Sequence, residues 1–497
     1  MGSEVKKPNW QLAALILIVI MGVFLRLNRL GEDSFWTDEA GQAEVILEPS
    51  FSKMVEGIKS HAMAMPMDYF TAWLTSRFST SEFAFRLPAA IWGGLAVVVL
   101  FGLSRKIVNV QTALLATLIL SINPLHIRYS QELRFYSALF FFCLLSNYLL
   151  LEILENEDHR WRRMAAYILA TGFGAYYHPY VLLSIVNGLF ILLLMKAPRK
   201  KFLRLLGNLF IAGFLTGVLF LPGYLIFGSE QTYNFDLLQW HRSFWHAASA
   251  GLGWSTFRYT QSTPNMGGWE WLNLIFSGIG LMFVVLRSKK NAKVLAFVLG
   301  TIVQIGLIIL ADLYKGYWFG SRQVLHLLPI VIILAAIGIE SLLSLVKRLT
   351  FFSEKNTKIL FAALYGIAVI VVVILGGIRV ADYYEWQKST GEQVVAELLE
   401  IHQVGQPVYV IPGYDQKVFR FYLREIGADQ HIPDLIPISW DKLPEVSSNS
   451  IEPFFLATRG KVNREQKALL AELDYRSYTD VEGIWYGAHA LYTNQLP

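Results

Sequence analysis

The sequence predicts a polytopic α-helical membrane protein of about eleven transmembrane helices, followed by a small C-terminal α/β domain outside the membrane. Three observations carry that fold class. Of the 497 residues, 54% are hydrophobic and only 16% charged, with a mean hydropathy of +0.42, whereas soluble domains hold about 25% charged residues. The apolar residues fall in blocks of roughly 16–25, the length that crosses a bilayer core. Lysine and arginine crowd alternate gaps between the blocks, and from about Asp382 onward the composition turns soluble.

In order, the spans are roughly 10–30, 85–104, 110–125, 135–154, 163–177, 179–195, 203–227, 270–286, 294–313, 324–346 and 358–378. The first follows a short N-terminus and lacks a small-residue cleavage site, so it reads as a retained helix and not a removed signal peptide. Residues 163–195 are divided because a single helix of that length would run about 50 Å across a core of about 30 Å. Tyr176-Tyr177-His178-Pro179-Tyr180 supplies the break. Both flanks of this pair are basic, which requires an even number of crossings. Counted from a cytoplasmic N-terminus, the inner segments hold 20 Lys and Arg, from Lys6 and Lys7 through the Lys196 to Arg204 cluster to Lys358. The outer loops after the third, fifth, seventh and ninth spans hold six: Arg128, Arg134, Arg242, Arg258, Lys315 and Arg322. That bias places the N-terminus in the cytoplasm and everything after residue 378 outside a plasma (inner) membrane.

The first outer loop, 31–84, is long enough for one or two helices lying along the membrane, and Val45, Ile46, Phe51, Met54, Val55 and Ile58 have amphipathic spacing. The outer segment 229–269 is strongly aromatic, as an interfacial belt would be. In the tail, helices are expected over 387–401, 418–425 and 464–473, and strands over 408–412, 454–457 and 484–492. The tail shows no Gly-rich phosphate loop and no metal-spaced His/Cys set, and no catalysis is assigned to it. The expected division is a membrane domain, 1–380, and a soluble α/β domain, 381–497. Net charge is +5 with a pI of about 9.0, but the basic residues lie between apolar blocks and not on one face, which excludes a nucleic-acid partner. The single cysteine, Cys143, rules out an intrachain disulfide.

Chemistry concentrates on the outer face. Ser34-Phe35-Trp36-Thr37-Asp38-Glu39-Ala40 puts two carboxylates just beyond the first span, with Trp36 at headgroup level. One reading is a helix start, with Thr37 as N-cap and acidic residues complementing the helix dipole. The other is a catalytic base at the water–lipid boundary. Asp68 and Tyr69, Glu132, Arg134 and Tyr136, His178, Arg258, Lys315 and Arg322 come to the same face. Chemistry on a lipid phosphate needs such a set: a carboxylate to take a proton, and Arg or Lys to hold the departing phosphate. Each also has a plainer reading: Arg134 can snorkel to headgroups, Asp68 can cap a helix after Pro66, and His178 can be a turn residue.

The order and wording of these motifs resemble the membrane glycosyltransferases of the GT-C superfold, in particular relatives of the dolichyl-phosphate-mannose protein mannosyltransferases and the bacterial aminoarabinose–lipid A transferase. The matching pieces, spread over residues 10 to about 345, are Phe35-Trp36-Thr37-Asp38-Glu39-Ala40, Pro66-Met67-Asp68-Tyr69 with Phe85-Arg86-Leu87-Pro88, Tyr129 to Ser137, Tyr177-His178, and Ser321-Arg322-Gln323 leading to Leu328-Pro329. The chain departs from the pattern at His61, five residues before Pro66 where many relatives have His-Pro-Pro-Leu, and at Arg322-Gln323, where relatives often have Arg-Tyr.

The resemblance implies a transferase that moves a sugar from an undecaprenyl- or dolichyl-phosphate carrier, with inversion, to a glycan, lipid or protein hydroxyl. Asp38 is then the base, Glu39 orients the acceptor or a metal, and Asp68 supports the site. Arg134, with Arg322 and Lys315 or Arg258, neutralises the phosphate. The motifs single out no cofactor with certainty and leave a divalent metal ion open. Some relatives use a divalent metal ion and others do not, with Glu39, His61 and His178 as candidate ligands here. Two rivals stay open: a transporter or flippase for lipid-linked sugars, and a polymerase or ligase of lipid-linked glycans. Transporters place polar sites at mid-membrane in repeated halves, whereas the span centres here are nearly free of ionisable residues and no internal repeat is visible.

Overall fold

The computed structural model describes residues 10–60, 65–195, 197–228, 267–315, 321–349, 353–385, 389–449, 455–459, 462–478 and 489–493. The chain enters through α1 (Trp10–Leu27) and then lays down three short helices, α2 (Thr37–Ile46), α3 (Phe51–Ser60) and α4 (Pro66–Ser76). The bundle continues with α5 (Glu82–Ile107), α6 (Val110–Ser121), α7 (Pro124–Ser130), α8 (Tyr136–Glu155) and α9 (Arg160–Ala175). A 3-10 turn (Pro179–Leu183) runs into α10 (Ser184–Leu194), followed by α11 (Arg199–Phe227), α12 (Gly268–Leu286) and α13 (Ala292–Lys315). A second 3-10 turn (Ser321–Leu327) leads into α14 (Leu328–Leu349), and α15 (Glu354–Glu385) completes the bundle.

Among the described residues, eight helices are long and apolar enough to cross a bilayer, or nine if α6 and α7, bent by 58°, form one span. The expected eleven exceeds this by α9 and the 179–194 segment. Each is 16 residues, about 24 Å of helix against a core of about 30 Å. Apolar side chains point outward along the long helices: Leu17, Ile20 and Phe24 on α1, Phe210, Phe214 and Leu225 on α11, Ile367, Ile370 and Ile374 on α15. A face of this kind is stable only in lipid. Where α12 crosses α14, Gly280 and Gly338 meet the opposite backbone so closely that a Cβ at either would collide with it, a small-residue contact typical of membrane helices.

Ion pairs tie one end of the bundle together: Lys106 to Glu152 (2.5 Å), Arg163 to Glu152 (3.2 Å), Lys293 to Glu155 (2.6 Å) and Arg204 to Glu157 (2.7 Å). At the opposite end Arg26, fully buried near the close of α1, donates to the carbonyls of Leu120 and Ser121 (both 3.1 Å) and meets His126 Nδ1 at 2.8 Å. It locks the bend between α6 and α7, whose start is set by Asn123 capping His126 N–H and by Pro124.

The C-terminal unit comprises α16 (Gly391–Ile401), β1 (Val408–Ile411), α17 (Gln416–Glu425), β2 (Leu435–Pro437), α18 (Leu443–Asn449), β3 (Phe455–Arg459), α19 (Arg464–Glu472), β4 (Arg476–Ser477) and β5 (His489–Thr493). The sheet order is β2-β1-β3-β5-β4, with β1 parallel to β2 and β3, and β5 antiparallel to β3 and β4. Strands β2 and β4, of three and two residues, are too short to leave an alternating pattern in sequence. Helix α17 lies against α2, joined by a shared apolar cluster that includes Phe35, Phe85, Phe419 and Phe421.

Candidate active site

Helix α2 begins where the extended residues 34–36 end, and it carries two carboxylates with opposite environments. Asp38, second in the helix, reaches the guanidinium of Arg322, with Oδ2 3.0 Å from Nη2 and both side chains partly exposed. Arg322 in turn lies over two rings, its Cζ 5.2 Å from the centre of Trp36 and 5.7 Å from that of Tyr136. Arg134 approaches the same Tyr136 ring at 6.0 Å and holds Gln42 Oε1 through Nη1 (3.3 Å). Gln42 passes the contact on by donating to Asp68 Oδ2 at 2.7 Å. Asp38, Arg322, Arg134, Tyr136, Gln42 and Asp68 therefore form one polar cluster.

Glu39 belongs to another network. Its carboxylate is fully buried and accepts two bonds from Arg86, at 2.9 and 2.8 Å, and a third from Leu133 N–H at 2.7 Å. Arg86 also donates to the carbonyls of Leu30, Asp33 and Ser34. The expectation that Glu39 orients an acceptor or metal meets a carboxylate already committed to α5 and to the 131–135 loop. It fixes α2, and fixes Leu133 one residue before Arg134.

Burial pushes the Asp68 carboxyl up to about 6, against the opposing pull of Gln42 and Arg134. Tyr69 is likewise pushed up to about 12 by burial. For Arg134, burial lowers the pKa, but Tyr136, Asp38, Tyr69 and Asp68 together raise it above the ordinary arginine value, so the guanidinium stays charged. His178 stacks on Phe135 with centroids 4.8 Å apart and is driven down to about 3 by burial and then by His326. Its Nδ1 accepts from Tyr180 N–H at 3.3 Å, so it caps the turn that follows while stacking on Phe135. Glu132 is buried, and its Oε1 lies 3.3 Å from Arg128 Nε. His61 and Arg258 lie outside the described residues, as does the side chain of Lys315. Among the described residues, no group of three metal-ligating side chains includes Glu39 or His178.

Two residues of the site carry no role in the sequence alone, although Arg86 lies in one of the matching motifs. Gln42 bridges Arg134 to Asp68, and Arg86 anchors Glu39. The signal for Arg86 was present: an arginine one turn inside an apolar span is costly unless paired.

The C-terminal unit grips the same stretch from behind. Phe35 N–H donates to the Tyr422 hydroxyl (2.5 Å), which donates to Glu82 (2.8 Å). Ser34 Oγ accepts from Glu392 N–H at 3.3 Å. Thr37 Oγ1 donates to the buried Asp415, which lies 3.4 Å from His489 Nε2. Arg420 pairs with Glu44 through two nitrogens, at 3.1 and 2.9 Å.

With this geometry in place, the comparisons with known proteins are informative. Residues 61–225 match the family model described as dolichyl-phosphate-mannose-protein mannosyltransferase. No curated protein matches significantly. Among solved structures, ArnT from Cupriavidus metallidurans bound to undecaprenyl phosphate superposes with a TM-score of 0.54 at 14% identity, over 99% of both chains. The archaeal oligosaccharyltransferase AglB from Archaeoglobus fulgidus, in complex with an inhibitory peptide and a dolichol-phosphate, gives a TM-score of 0.57 at 11% identity, over 99% of this chain and 75% of its own. The arabinofuranosyltransferase AftD from Mycobacteria gives 0.51 at 12% identity, over all of this chain and 40% of its own. The chain thus has the fold of the GT-C membrane glycosyltransferases. Within that fold it resembles the mannosyltransferase and ArnT group.

Proposed function

We infer that the protein is an integral-membrane glycosyltransferase that moves a sugar from a polyprenyl-phosphate carrier to an acceptor hydroxyl at the outer membrane face. The observation that carries this reading is Asp38 held 3.0 Å from Arg322 with Arg134 beside them, in a chain with the GT-C fold. The matching family model and the lipid phosphate bound to ArnT support the carrier. Asp38 takes the proton of the acceptor hydroxyl. The hydroxyl oxygen bonds to the anomeric carbon from the face opposite the phosphate, the carbon–oxygen bond to phosphate breaks, and polyprenyl phosphate leaves with the electron pair. Arg134 and Arg322 hold that phosphate through charge-assisted bonds suited to a planar fork. A phosphate arriving between the arginines competes with Asp38 for Arg322, which frees the carboxylate for the acceptor. Tyr136 and Trp36 keep Arg322 in place.

The lysines and arginines at the ion-paired end support placing that end, and the N-terminus, in the cytoplasm of a plasma-membrane protein. The C-terminal unit then lies outside; the expected boundary at 380/381 falls inside α15, so the catalytic membrane domain runs to Glu385 and the soluble α/β domain, packed against α2, begins beyond it.

The test is transfer from a panel of labelled monosaccharide phospho-polyprenols by the reconstituted protein beside Asp38→Asn. A general base contributes about 10²–10⁴-fold, so the variant is expected to lose at least about a hundredfold in turnover. Turnover near wild type removes Asp38 from the mechanism. Failure of every monosaccharide donor favours an oligosaccharide carrier or a transporter.

A further inference from the structure

A second chemical centre lies in the C-terminal unit, away from the polar cluster at α2. His402 follows the last residue of α16, and His431 and Asp434 sit in the 3-10 turn (Asp429–Asp434) that leads into β2. The ligating atoms of these three side chains all lie within 4.8 Å of one another. Both imidazoles are buried. His402 Nε2 lies 2.7 Å from the carbonyl of Gln406. A carbonyl can only accept, so that nitrogen carries the proton and the Nδ1 of the neutral ring is left with a lone pair. That lone pair meets His431 Nδ1 at 2.8 Å. Asp434 Oδ2 is steadied by Gly405 N–H at 3.0 Å.

We propose that the C-terminal unit binds one Zn²⁺, or a similar first-row transition-metal ion, through His402, His431 and Asp434. A ligating histidine whose other ring nitrogen donates to a backbone carbonyl is the usual way proteins fix the tautomer and ring orientation at a metal. Two imidazole nitrogens and one carboxylate select zinc-like ions over calcium or magnesium, which take oxygen ligands. On a tetrahedral ion with bonds of about 2.0–2.1 Å, two nitrogens stand about 3.3 Å apart. To receive the ion the two nitrogens part by about half an ångström, both rings turn so that their lone pairs converge on one point, and Asp434, whose Oδ2 lies 3.7 Å from His402 Nε2, swings toward the Nδ1 side. Three protein ligands leave the fourth position to water.

The ion ties the end of α16 to the turn before β2. That turn packs beside α17, the helix whose Arg420 and Tyr422 hold α2. The site thus stiffens the platform behind Asp38 and takes no part in the transfer chemistry.

The experiment uses the full-length protein in detergent, stripped with a chelator and titrated with Zn²⁺ alone against a chromogenic competitor. Wild type is compared with His402→Ala, His431→Gln and Asp434→Asn, each checked for wild-type elution on gel filtration. The quantity read is the difference between wild type and variant, so zinc held elsewhere cancels. One equivalent is expected in wild type and its loss, or at least tenfold weaker binding, in each variant. Wild type is also expected to melt at a higher temperature with Zn²⁺ than without, and His431→Gln to lose that increment. Equal zinc uptake by wild type and correctly eluting variants overturns the proposal and leaves the two rings joined by an ordinary N–H···N bond. So does the absence of any uptake by wild type. If His402→Ala elutes as aggregate, the two remaining variants decide the result.

Discussion

The adjacent carboxylates of α2 should respond to neutralisation in opposite ways. Glu39 is 0% and Arg86 1% exposed, and their two bonds at 2.8–2.9 Å are joined by a third from Leu133 N–H. Glu39→Gln keeps an oxygen for Leu133 and one Arg86 N–H, but turns an amide against the other and leaves the guanidinium without its counter-charge. Breaking a buried pair by removing one partner costs about 3–5 kcal/mol. The retained bonds place this variant toward the lower end. Arg86→Met is expected to cost more, because the carbonyls of Leu30, Asp33 and Ser34 lose their donor as well. Asp38 shares a partly exposed pair with Arg322, so Asp38→Asn should move stability by no more than about 1 kcal/mol while lowering turnover at least about a hundredfold. The assay is thermal unfolding in detergent alongside the initial transfer rate well below the transition. Glu39→Gln should melt several degrees lower and still turn over when folded. A Glu39→Gln protein with the wild-type melting temperature and the turnover of Asp38→Asn refutes the assignment, since it would place Glu39 at the reacting atoms.

Other outcomes follow from the same geometry. Arg322→Gln and Arg134→Gln each remove a hydrogen bond to a charged group, worth about 1.5–3 kcal/mol. Each should therefore lower kcat/KM for the lipid donor by about 10- to 150-fold, while a competitive inhibitor of the acceptor alone binds unchanged. Asp68 takes an extra proton in the folded state between its ordinary 3.8 and about 6, so stability falls as pH rises through that window and levels off above it, by about 3 kcal/mol in all. Asp68→Asn should flatten the dependence of melting temperature on pH between 5 and 6.5 and be at least as stable as wild type at pH 7.5. An unchanged slope assigns the titration elsewhere. Glu44→Arg and Arg420→Glu should each weaken the grip on α2 and slow transfer, and the double reversal should restore it. No recovery in the double variant shows that the pair does not couple the two elements.

Long lipid-facing helices are legible because their solvent demands a continuous apolar run, and α1, α5, α8, α11 and α15 fall close to where hydropathy places them. What hydropathy does not resolve is whether a 16-residue segment crosses: the 179–194 segment is apolar but short, and α9 opens on Arg160, Arg162 and Arg163, so both depend on tilt and neighbours as well as on composition. The bend at Asn123-Pro124 falls inside the expected span 110–125 and leaves no mark in hydropathy, and the residue that holds the carbonyls beside it, Arg26, comes from a helix about a hundred positions earlier. The different surroundings of Asp38 and Glu39, adjacent in sequence, are invisible there for the same reason. Their partners, Arg322 and Arg86, lie far along the chain in different directions. His402, His431 and Asp434 carry no recognisable metal spacing, and only the turn between α17 and β2 brings them together.

The C-terminal unit has a physical reason to sit where it does. Helix α2 is ten residues long and nearly without amphipathic character, and an isolated helix of that length is marginal in water. Nothing intrinsic to it would hold Asp38 still, yet a catalytic group displaced by about 1 Å can cost about 10²-fold. The helix is instead held from three sides. Arg86 takes Glu39 from the bundle, the 131–135 loop takes the same carboxylate through Leu133, and the C-terminal unit takes Phe35, Thr37 and Glu44 through Tyr422, Asp415 and Arg420. Asp38 is left as the carboxylate of the first turn that turns to the arginines. Rigidity at the base is thus supplied by residues that touch no substrate, and on this argument removing the C-terminal unit should reduce turnover even with every residue of the polar cluster intact.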